Sequence, residues 1–251
     1  MSRCLFTVAL AAGLLVTSAA GHAKAESIPG YITAAVADPD RPAKTKITDA
    51  LRKTAETLAF IGLKPGDKVV DVVPGIYWDR LFSDVVGPTG HVYEFVPLEY
   101  STSMHWKLPA TSTVLPGHPN LTWSAASIGA FSTPEPVDVV WIRHNYHDLY
   151  DPFMGPVDVP AFNMAVYKAL KPGGLYVIID HSAKDGSGLT ATNTLHRIDA
   201  AVVKKDMAAA GFVFAAESGL LRNPADPREA LSYDPVILGK TDQFIYVFRK
   251  P

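Results

Sequence analysis

A polar segment that follows a strongly apolar run carries the side chains best suited to chemistry. Residues 143–148, with the sequence Arg-His-Asn-Tyr-His-Asp, come directly after the apolar residues 139–142. His147 is predicted to be a general base, because an imidazole pKa of about 6.5 suits proton removal from a hydroxyl or an amine. Asp148 would orient that ring, and Tyr146 would stack on a substrate ring or donate a hydrogen bond. The structural alternative is a helix cap with a buried, hydrogen-bonded histidine.

A second candidate lies where another apolar run ends. Residues 63–78 contain a Pro-Gly turn, an apolar run that includes Asp71, and a second Pro-Gly pair that opens a helix. This order predicts the first strand and the ligand-facing loop of a doubly wound α/β domain, in which ligands bind at the carboxyl ends of parallel strands. We expect Asp71 to face a ligand there. The alternative is an acid that ties down the loop backbone.

Three histidines follow predicted strand ends and could converge on a metal ion. His144 and His147 lie in the polar segment, and His181 follows a strand predicted at residues 175–180. No His-x-x-x-His, cysteine or glutamate-rich spacing accompanies them, and histidines at strand ends also serve to bridge loops. The sequence therefore predicts no metal site, and a metal-binding protein is kept as a third hypothesis.

A possible substrate lid lies later in the chain. His196 and Arg197 begin a predicted helix after the glycine-containing loop 184–188, and Arg197 is suited to bind an acidic group. The alternative is a surface salt bridge from Arg197 to Asp199 or Asp206.

The elements that must position these residues alternate between strands and helices. Strands are predicted at residues 68–73, 91–96, 121–124, 137–142, 175–180, 212–218 and 243–249, and helices at 47–60, 78–86, 160–169 and 199–210. A short helix is predicted near residues 98–106, and Trp106 is the tryptophan expected to form a pocket wall. The alternation predicts a doubly wound α/β domain over residues 46–251, with a mostly parallel seven-stranded sheet and helices on both faces.

The amino-terminal residues predict export. Arg3 precedes an apolar run from Leu5 to Val16 that is too short to span a bilayer, and residues 23–25 (Ala-Lys-Ala) fit a cleavage site. Residues 1–25 are therefore predicted to be a signal peptide, which implies a periplasmic or secreted protein. A retained membrane anchor is the alternative. Residues 26–45, rich in proline, alanine and aspartate, are predicted to form an irregular amino-terminal arm.

Composition excludes some classes of partner. The formal net charge of the 251-residue chain is −2, and no basic run or stripe is present, so a nucleic-acid partner is not expected. No second apolar stretch predicts a membrane span once the signal is removed. The only cysteine is Cys4, inside the predicted signal, so the exported chain would have to fold without disulfides.

The order of these motifs resembles the class I S-adenosylmethionine-dependent methyltransferase fold over nearly all of residues 47–250. The resemblance is carried by residues 69–75, 90–93, 137–141, 169–175 and 210–212, of which Leu-Lys-Pro-Gly-Gly at 170–174 is a fairly specific marker. The chain is most similar to a bacterial group of exported predicted methyltransferases. That group carries segments like Arg143–Asp148 and like Thr194–Asp199.

The resemblance implies a cofactor and a reaction. S-adenosylmethionine would bind at the strand ends, and the enzyme would align the methyl group with a small or peptidic nucleophile while His147 removes a proton. The cofactor-binding positions implied by the resemblance are Asp71, Pro74, Gly75, Tyr77, Ser127 and Asn145. In this account the Asn145 amide would bind the amino-acid end of the cofactor.

The sequence departs from the family's pattern at the cofactor loop and at two carboxylates. Val73 and Tyr77 stand where smaller residues are usual, and only Gly75 remains of the usual glycines. The positions of the ribose-binding and adenine-binding acids are taken by Val96 and Ser127. A methyltransferase-fold protein that binds another ligand without catalysis is therefore the competing hypothesis.

Overall fold

A seven-stranded sheet forms the centre of the protein in the computed structural model, which describes residues 27–105 and 117–251. Its strands are β1 (Lys68–Val72), β2 (His91–Pro97), β3 (Leu121–Ala126), β4 (Val137–Arg143), β5 (Leu170–His181), β6 (Val213–Ser218) and β7 (Gln243–Arg249). Their order across the sheet is β3-β2-β1-β4-β5-β7-β6. Strands β1 to β5 are parallel, whereas β7 runs antiparallel to β5 and β6. The predicted α/β class and doubly wound sheet are confirmed.

Helices cover both faces of this sheet. They are α1 (Gly30–Ala37), α2 (Ala43–Lys46), α3 (Asp49–Arg52), α4 (Thr54–Ile61), α5 (Trp78–Val86), α6 (Leu98–Ser103), α7 (Val159–Ala169), α8 (Thr192–Leu195) and α9 (Ala200–Ala209). Successive residues of a strand point to opposite faces. Val69 accordingly packs into the core that contains Leu81 of α5, and Val70 into the core that contains Phe162 of α7. Burial on both faces explains why the central strands read as continuous apolar runs.

The amino-terminal part of the described chain differs from the prediction. The irregular arm predicted at residues 26–45 is wrong where α1 forms and buries Ile32 and Ala35 against α4 and α5, and α2 also begins within this range. The single helix predicted at 47–60 is broken at Lys53, whose φ of 49° is left-handed. The prolines at 29, 39 and 42, which flank α1, favoured an irregular segment, and the charged face of residues 46–56 concealed the break.

Close packing at Gly90 fixes the start of β2. A Cβ atom added there would lie 2.5 Å from the carbonyl oxygen of Asp67 and 2.5 Å from the Cβ of Val86, a distance that no packed side chain tolerates. Glycine is therefore required for the turn between α5 and β2 to pass beside β1. This turn sets the register in which Asp71 of β1 pairs with Glu94 of β2.

No helix in the two described ranges is long and apolar enough to cross a membrane. The predicted signal peptide, its cleavage site and Trp106 lie outside the described residues.

Candidate functional site

A cavity of about 400 Å³ opens at the carboxyl ends of β1 and β4, and we call it the strand-end cavity. It is lined by Arg52, Asp71, Val73–Trp78, Tyr100, Trp141 and Arg143–Asn145. Its position is the one at which doubly wound sheets bind ligands. Five of the six residues predicted to bind the cofactor therefore line this cavity, namely Asp71, Pro74, Gly75, Tyr77 and Asn145. The sixth, Ser127, is exposed beyond the end of β3 and does not line this cavity.

The loop after β1 keeps a backbone conformation that normally requires glycine. Val73 has a φ of 59°, and its amide donates a hydrogen bond of 2.9 Å to the carbonyl oxygen of Phe95. A β-branched residue with positive φ is a strained outlier, typically by about 1–3 kcal/mol. The backbone of this loop thus has the shape of a glycine-rich ligand loop, although its sequence is not rich in glycine.

Tyr77 reaches the strand-end cavity with its ring rather than with its hydroxyl. The hydroxyl donates a hydrogen bond of 2.6 Å to Asp49 Oδ1 and also contacts the hydroxyl of Thr54. The guanidinium of Arg52 lies 4.2 Å from the centre of the Tyr77 ring. Tyr77 therefore holds α3 and α4 against the cavity.

Two guanidinium groups face the cavity without an acidic partner. Arg143 lies over the Trp78 ring at 5.9 Å and makes no hydrogen bond or ion pair with any residue in the described parts of the chain. The Arg52 side chain donates to the Thr48 hydroxyl, at 3.2 Å, and to no other group within residues 27–105 and 117–251. Burial, together with the charge of Arg52, lowers the pKa of Arg143 to about 9, so the group remains charged at neutral pH. Two half-buried cations of this kind form a site for an anion such as a carboxylate.

Three carboxyl groups lie together beneath the same cavity. Asp71 and Glu94 are paired on neighbouring strands, and Asp79 of α5 interacts with both. Burial, reinforced by Asp79 and Glu94, raises the pKa of Asp71 well above its usual value. Burial likewise raises the pKa of Asp79, and burial with repulsion from Asp79 raises that of Glu94. Part of this cluster is consequently protonated near neutral pH.

A second cavity, of about 610 Å³, adjoins the first, and we call it the histidine cavity. Arg52, Arg143 and His144 line both cavities and form their common wall. The other lining residues are Thr48, Leu51, His147, His181, His196, Leu221, Ser232, Tyr233, Leu238, Gly239 and Gln243. The molecule therefore offers two adjoining sites, one cationic and one rich in imidazoles.

Both ring nitrogens of His147 are engaged. Its Nδ1 lies 2.8 Å from Asp180 Oδ1, and its Nε2 lies 3.1 Å from His196 Nδ1 and 3.2 Å from Asp148 Oδ1. Burial alone would lower the pKa of His147, but the charges and hydrogen bonds of Asp180 and Asp148 outweigh it and raise the pKa to about 10. This geometry disagrees with the predicted general base, because such an imidazole already holds its proton at neutral pH.

Asp148 contacts His147, the residue that it was predicted to orient, and it belongs to a larger network. Its Oδ2 accepts hydrogen bonds from the Tyr100 hydroxyl and, at 3.0 Å, from Asn145 Nδ2. Although burial opposes the shift, hydrogen bonds from His147 and His196 hold the pKa of Asp148 well below its usual range. Asn145 thus links the two cavities.

Tyr146 points away from both cavities, which corrects its predicted role as a substrate contact. The ring is completely buried, and its hydroxyl donates to Asp206 Oδ2 at 3.0 Å and accepts from Asn163 Nδ2 at 2.8 Å. The turn after β4 places successive side chains on opposite sides, so Tyr146 packs between α7 and α9. Its function is to stabilise the core.

His144 and His181 stack against each other instead of joining His147 around a metal ion. Their ring centres are 3.9 Å apart, His144 Nε2 lies 2.7 Å from Gln243 Oε1, and His181 Nδ1 lies 2.7 Å from the Thr241 hydroxyl. Burial, with the nearby positive charge of Arg143, holds the pKa of both histidines well below the usual value. Both are therefore neutral at physiological pH.

Arg197 has a structural partner that the sequence did not predict. The side chain is completely buried, and its NH1 lies 2.8 Å from Asp226 Oδ2 and donates at 3.1 Å to the carbonyl oxygen of Ser182. The predicted acid-binding lid residue is therefore wrong, and so are the alternative partners Asp199 and Asp206. His196, by contrast, does line the histidine cavity.

Sequence reasoning missed several residues of the site. Asp180 contacts His147 across 33 residues, Asp151 lies just beyond the polar segment, and Arg52 reaches the cavity from the last residue of α3. His196 was singled out from the sequence, but not as a neighbour of His147. The available signal was the acid at the end of β5: Asp180 directly precedes His181 at the same sheet edge as residues 143–148.

The fold is shared with solved methyltransferase structures. An S-adenosylmethionine-dependent methyltransferase from Aquifex aeolicus aligns with a TM-score of 0.54 and 18% identity, covering 84% of this chain and 98% of that one. The N-methyltransferase NodS from Bradyrhizobium japonicum, in complex with S-adenosyl-L-homocysteine, gives a TM-score of 0.50 and 17% identity over 88% and 96% of the two chains.

A third similar structure is a complex with the Haloferax volcanii Trm112 methyltransferase activator, with a TM-score of 0.51, 13% identity and coverage of 88% of this chain and 98% of that one. The sequence matches no family profile and no curated protein. At identities this low, the comparisons establish the fold, and any activity has to be argued from the site.

Proposed function

We propose that the protein is an S-adenosylmethionine-dependent methyltransferase with a small-molecule or peptide substrate. The observation that carries this proposal is the pair of adjoining cavities at the carboxyl edge of the sheet, separated by Arg52, Arg143 and His144. A transferase must hold a donor and an acceptor side by side, and each cavity has a volume typical of small-ligand sites. The shared fold with solved methyltransferases supports the same conclusion.

The residues of the strand-end cavity fit the amino-acid end of the cofactor better than its nucleoside end. The guanidinium of Arg143, which is unpaired among the described residues, suits a carboxylate, and the loop Val73–Gly75, in which Val73 has a positive φ, allows close approach to the backbone. The nucleoside end lacks the acids that the family pattern places at Val96 and Ser127. When bound, the cofactor supplies an electrophilic methyl group, and the chain positions it and excludes water.

His144 replaces His147 as the proposed proton acceptor. It lines both cavities, it is neutral, and Nε2 contacts Gln243 Oε1, so that Nδ1 is the nitrogen left to accept a proton. The tautomer follows from Gln243, because an amide oxygen accepts and cannot donate. His147 is proposed to hold Asp148 and His196 in place at the far wall.

A non-catalytic ligand-binding protein is the second candidate function. It is favoured by the missing acids and by the clustering of Asp71, Asp79 and Glu94, which are partly protonated rather than directed at a ribose. Two unsatisfied polar edges of a bound cofactor would weaken binding by roughly 30- to 10⁴-fold. We therefore expect a dissociation constant for S-adenosylmethionine weaker than about 10 μM.

Calorimetric titration of the protein with S-adenosylmethionine and with S-adenosylhomocysteine tests the proposal. Binding of both, with heat that depends on Arg143, supports a cofactor site. Absence of binding at millimolar cofactor would exclude the methyltransferase and leave the binding protein. Transfer of a labelled methyl group to host extract then separates a catalyst from a protein that only binds the cofactor.

We also propose that the protein acts outside the cytoplasm, on the basis of the predicted signal peptide in residues 1–25. Export implies an acceptor that is itself exported or surface-bound, and a compartment that supplies the methyl donor.

A further inference from the structure

Four potential metal ligands converge at the wall of the histidine cavity. His147, Asp148 and Asp151 come from the turn after β4, and His196 follows α8. One ligand atom from each side chain lies within 4.8 Å of the others. The set differs from the His144, His147 and His181 group considered from the sequence and shares only His147 with it.

The spacing of three of these atoms matches a coordination shell. His147 Nε2 is 3.1 Å from His196 Nδ1 and 3.2 Å from Asp148 Oδ1, and His196 Nδ1 is 3.5 Å from Asp148 Oδ1. Four ligands placed tetrahedrally around Zn²⁺, each at about 2.0–2.1 Å, are separated by about 3.3 Å.

Asp151 supplies an independent observation. It is 1% exposed, and neither of its carboxylate oxygens has a hydrogen-bond partner among the residues that the structure describes. The nearby Thr192 hydroxyl donates to the carbonyl oxygen of Leu189 instead. An unpaired carboxylate buried to this degree is costly unless something binds it. A cation shared with the three neighbouring ligands would satisfy it.

The residues around the cluster already form the supporting shell of a metal site. His147 Nδ1 lies 2.8 Å from Asp180 Oδ1, so that Nε2 is the nitrogen that would coordinate the ion, which would displace the Nε2 proton on binding. The second oxygen of Asp148 is held by Tyr100 and Asn145, so that Oδ1 remains for a cation. A carboxylate that orients a ligating histidine is a recurrent feature of metal centres.

The local charge balance also favours a cation. Asp148, Asp151 and Asp180 bring three carboxyl groups to one buried region, and no lysine or arginine forms an ion pair with any of them in the described part of the chain. The side chains of His147 and His196 contact Asp148, and that of His147 contacts Asp180.

We propose that His147, Asp148, Asp151 and His196 form a binding site for one divalent transition-metal ion, for which Zn²⁺ is the representative. Two imidazoles and two carboxylates suit first-row transition metals, whereas Mg²⁺ and Ca²⁺ prefer shells made of oxygen. Because His147 and His196 line the histidine cavity, the ion lies where an oxygen atom of a ligand in that cavity can reach it. The contact between the ion and a ligand in the cavity rests on the proposed function, but the metal site itself does not.

The test is calorimetric titration of the untagged, chelator-treated protein with ZnCl₂ in the absence of any cofactor. We expect one Zn²⁺ per chain with a dissociation constant below about 1 μM, and binding of Mg²⁺ and Ca²⁺ weaker by about 100-fold or more. A visible spectrum of the Co²⁺-loaded protein reports nitrogen and oxygen ligation in a low-symmetry site. Thermal unfolding should shift upward when Zn²⁺ is added.

Two variants assign the ligands. His196→Asn introduces a residue that tolerates the φ of 48° at this position. Asp151→Asn is isosteric. Both variants should therefore remain folded, as judged by circular dichroism. Each should weaken Zn²⁺ binding by about 10- to 100-fold and reduce the Zn²⁺-dependent thermal shift. His181 lines the same cavity outside the cluster, and His181→Gln is the matched control. Absence of Zn²⁺ binding, or equal weakening by all three variants, would overturn the proposal without affecting the cofactor test.

Discussion

Asp180 holds His147 at two points: its Oδ2 accepts the backbone amide of His147 at 2.9 Å, and its Oδ1 lies 2.8 Å from the ring Nδ1. The end of β5 thereby fixes both the backbone and the ring of a residue that follows β4. The same Oδ1 also accepts the backbone amide of His181 at 2.8 Å. A single completely buried carboxylate organises the edge of the sheet at which the two cavities meet.

Asp180→Asn should destabilise the protein by about 3 kcal/mol, because an amide has one acceptor oxygen where the carboxylate uses two, and a buried charge pair is broken. Urea unfolding followed by circular dichroism measures the change. Asp185→Asn, at a side chain that is 94% exposed, is the control and should alter stability by less than about 0.5 kcal/mol. Equal small effects of the two variants would contradict the structural role of Asp180.

The carboxyl cluster predicts an unusual dependence of stability on pH. The pKa of Glu94 is raised by burial and by Asp79 to about 8 in the folded state, above the unfolded value of about 4.3. The folded protein therefore binds more protons, so the free energy of unfolding should fall as pH rises from about 4 to about 8. Glu94→Gln should flatten this slope and be more stable than the natural protein at pH 8, whereas exposed Glu56→Gln should leave the slope unchanged. A rising slope in the natural protein would refute the assignment.

Arg143→Gln should weaken S-adenosylhomocysteine binding at least about tenfold without lowering the melting temperature. The reason is that the guanidinium is free to bind a ligand carboxylate but makes no hydrogen bond or ion pair within the described residues. Calorimetry and thermal unfolding are the two measurements, and Arg80→Gln on α5 is the control. Loss of stability with unchanged affinity would assign Arg143 to the fold alone.

His144→Asn should lower methyl transfer by about 10²-fold while the affinity for S-adenosylhomocysteine changes little. Asparagine tolerates the φ of 62° at this position, so the backbone should be preserved. The loss should be smaller at high pH, where the nucleophile ionises without help. His91→Gln, a histidine at the opposite edge of the sheet, provides the comparison. Normal turnover by the His144 variant would remove it from the reaction.

Export predicts that the form of the protein isolated from its host begins at Glu26. Amino-terminal sequencing of periplasmic and cytoplasmic fractions measures this. Recovery of the intact chain from the soluble cytoplasm as the main form would contradict the predicted signal peptide.

The sheet could be predicted because strands that are buried on both faces have continuous apolar sequences. Residues 243–249 match β7 throughout, and residues 137–142 fall one residue short of β4. β5 was predicted to begin at residue 175, but pairing of Leu170 with Val137 starts it five residues earlier. Such an extension depends on a neighbouring strand and leaves no local pattern.

The candidate site was predictable in location and less so in detail. The polar segment after β4 does border both cavities, yet Asn145, Tyr146 and His147 diverge into a cavity wall, the core and a buried network. Composition cannot reveal this divergence, because a turn distributes successive side chains by its backbone angles. The partners that decide the role of His147, Asp180 and His196, lie 33 and 49 residues away in the chain.

The buried Arg197–Asp226 pair has a consequence for which acceptors the protein can admit. Through its bonds to Asp226, to Ala230 and to Ser182, Arg197 fastens the connection between β6 and β7 to the end of β5. That connection carries Leu221, Ser232 and Tyr233, so one wall of the histidine cavity is fixed before any ligand arrives. Selectivity among acceptors would then come from the width of the preformed histidine cavity. Ligands would enter and leave past the exposed side chains of Leu51 and Leu238.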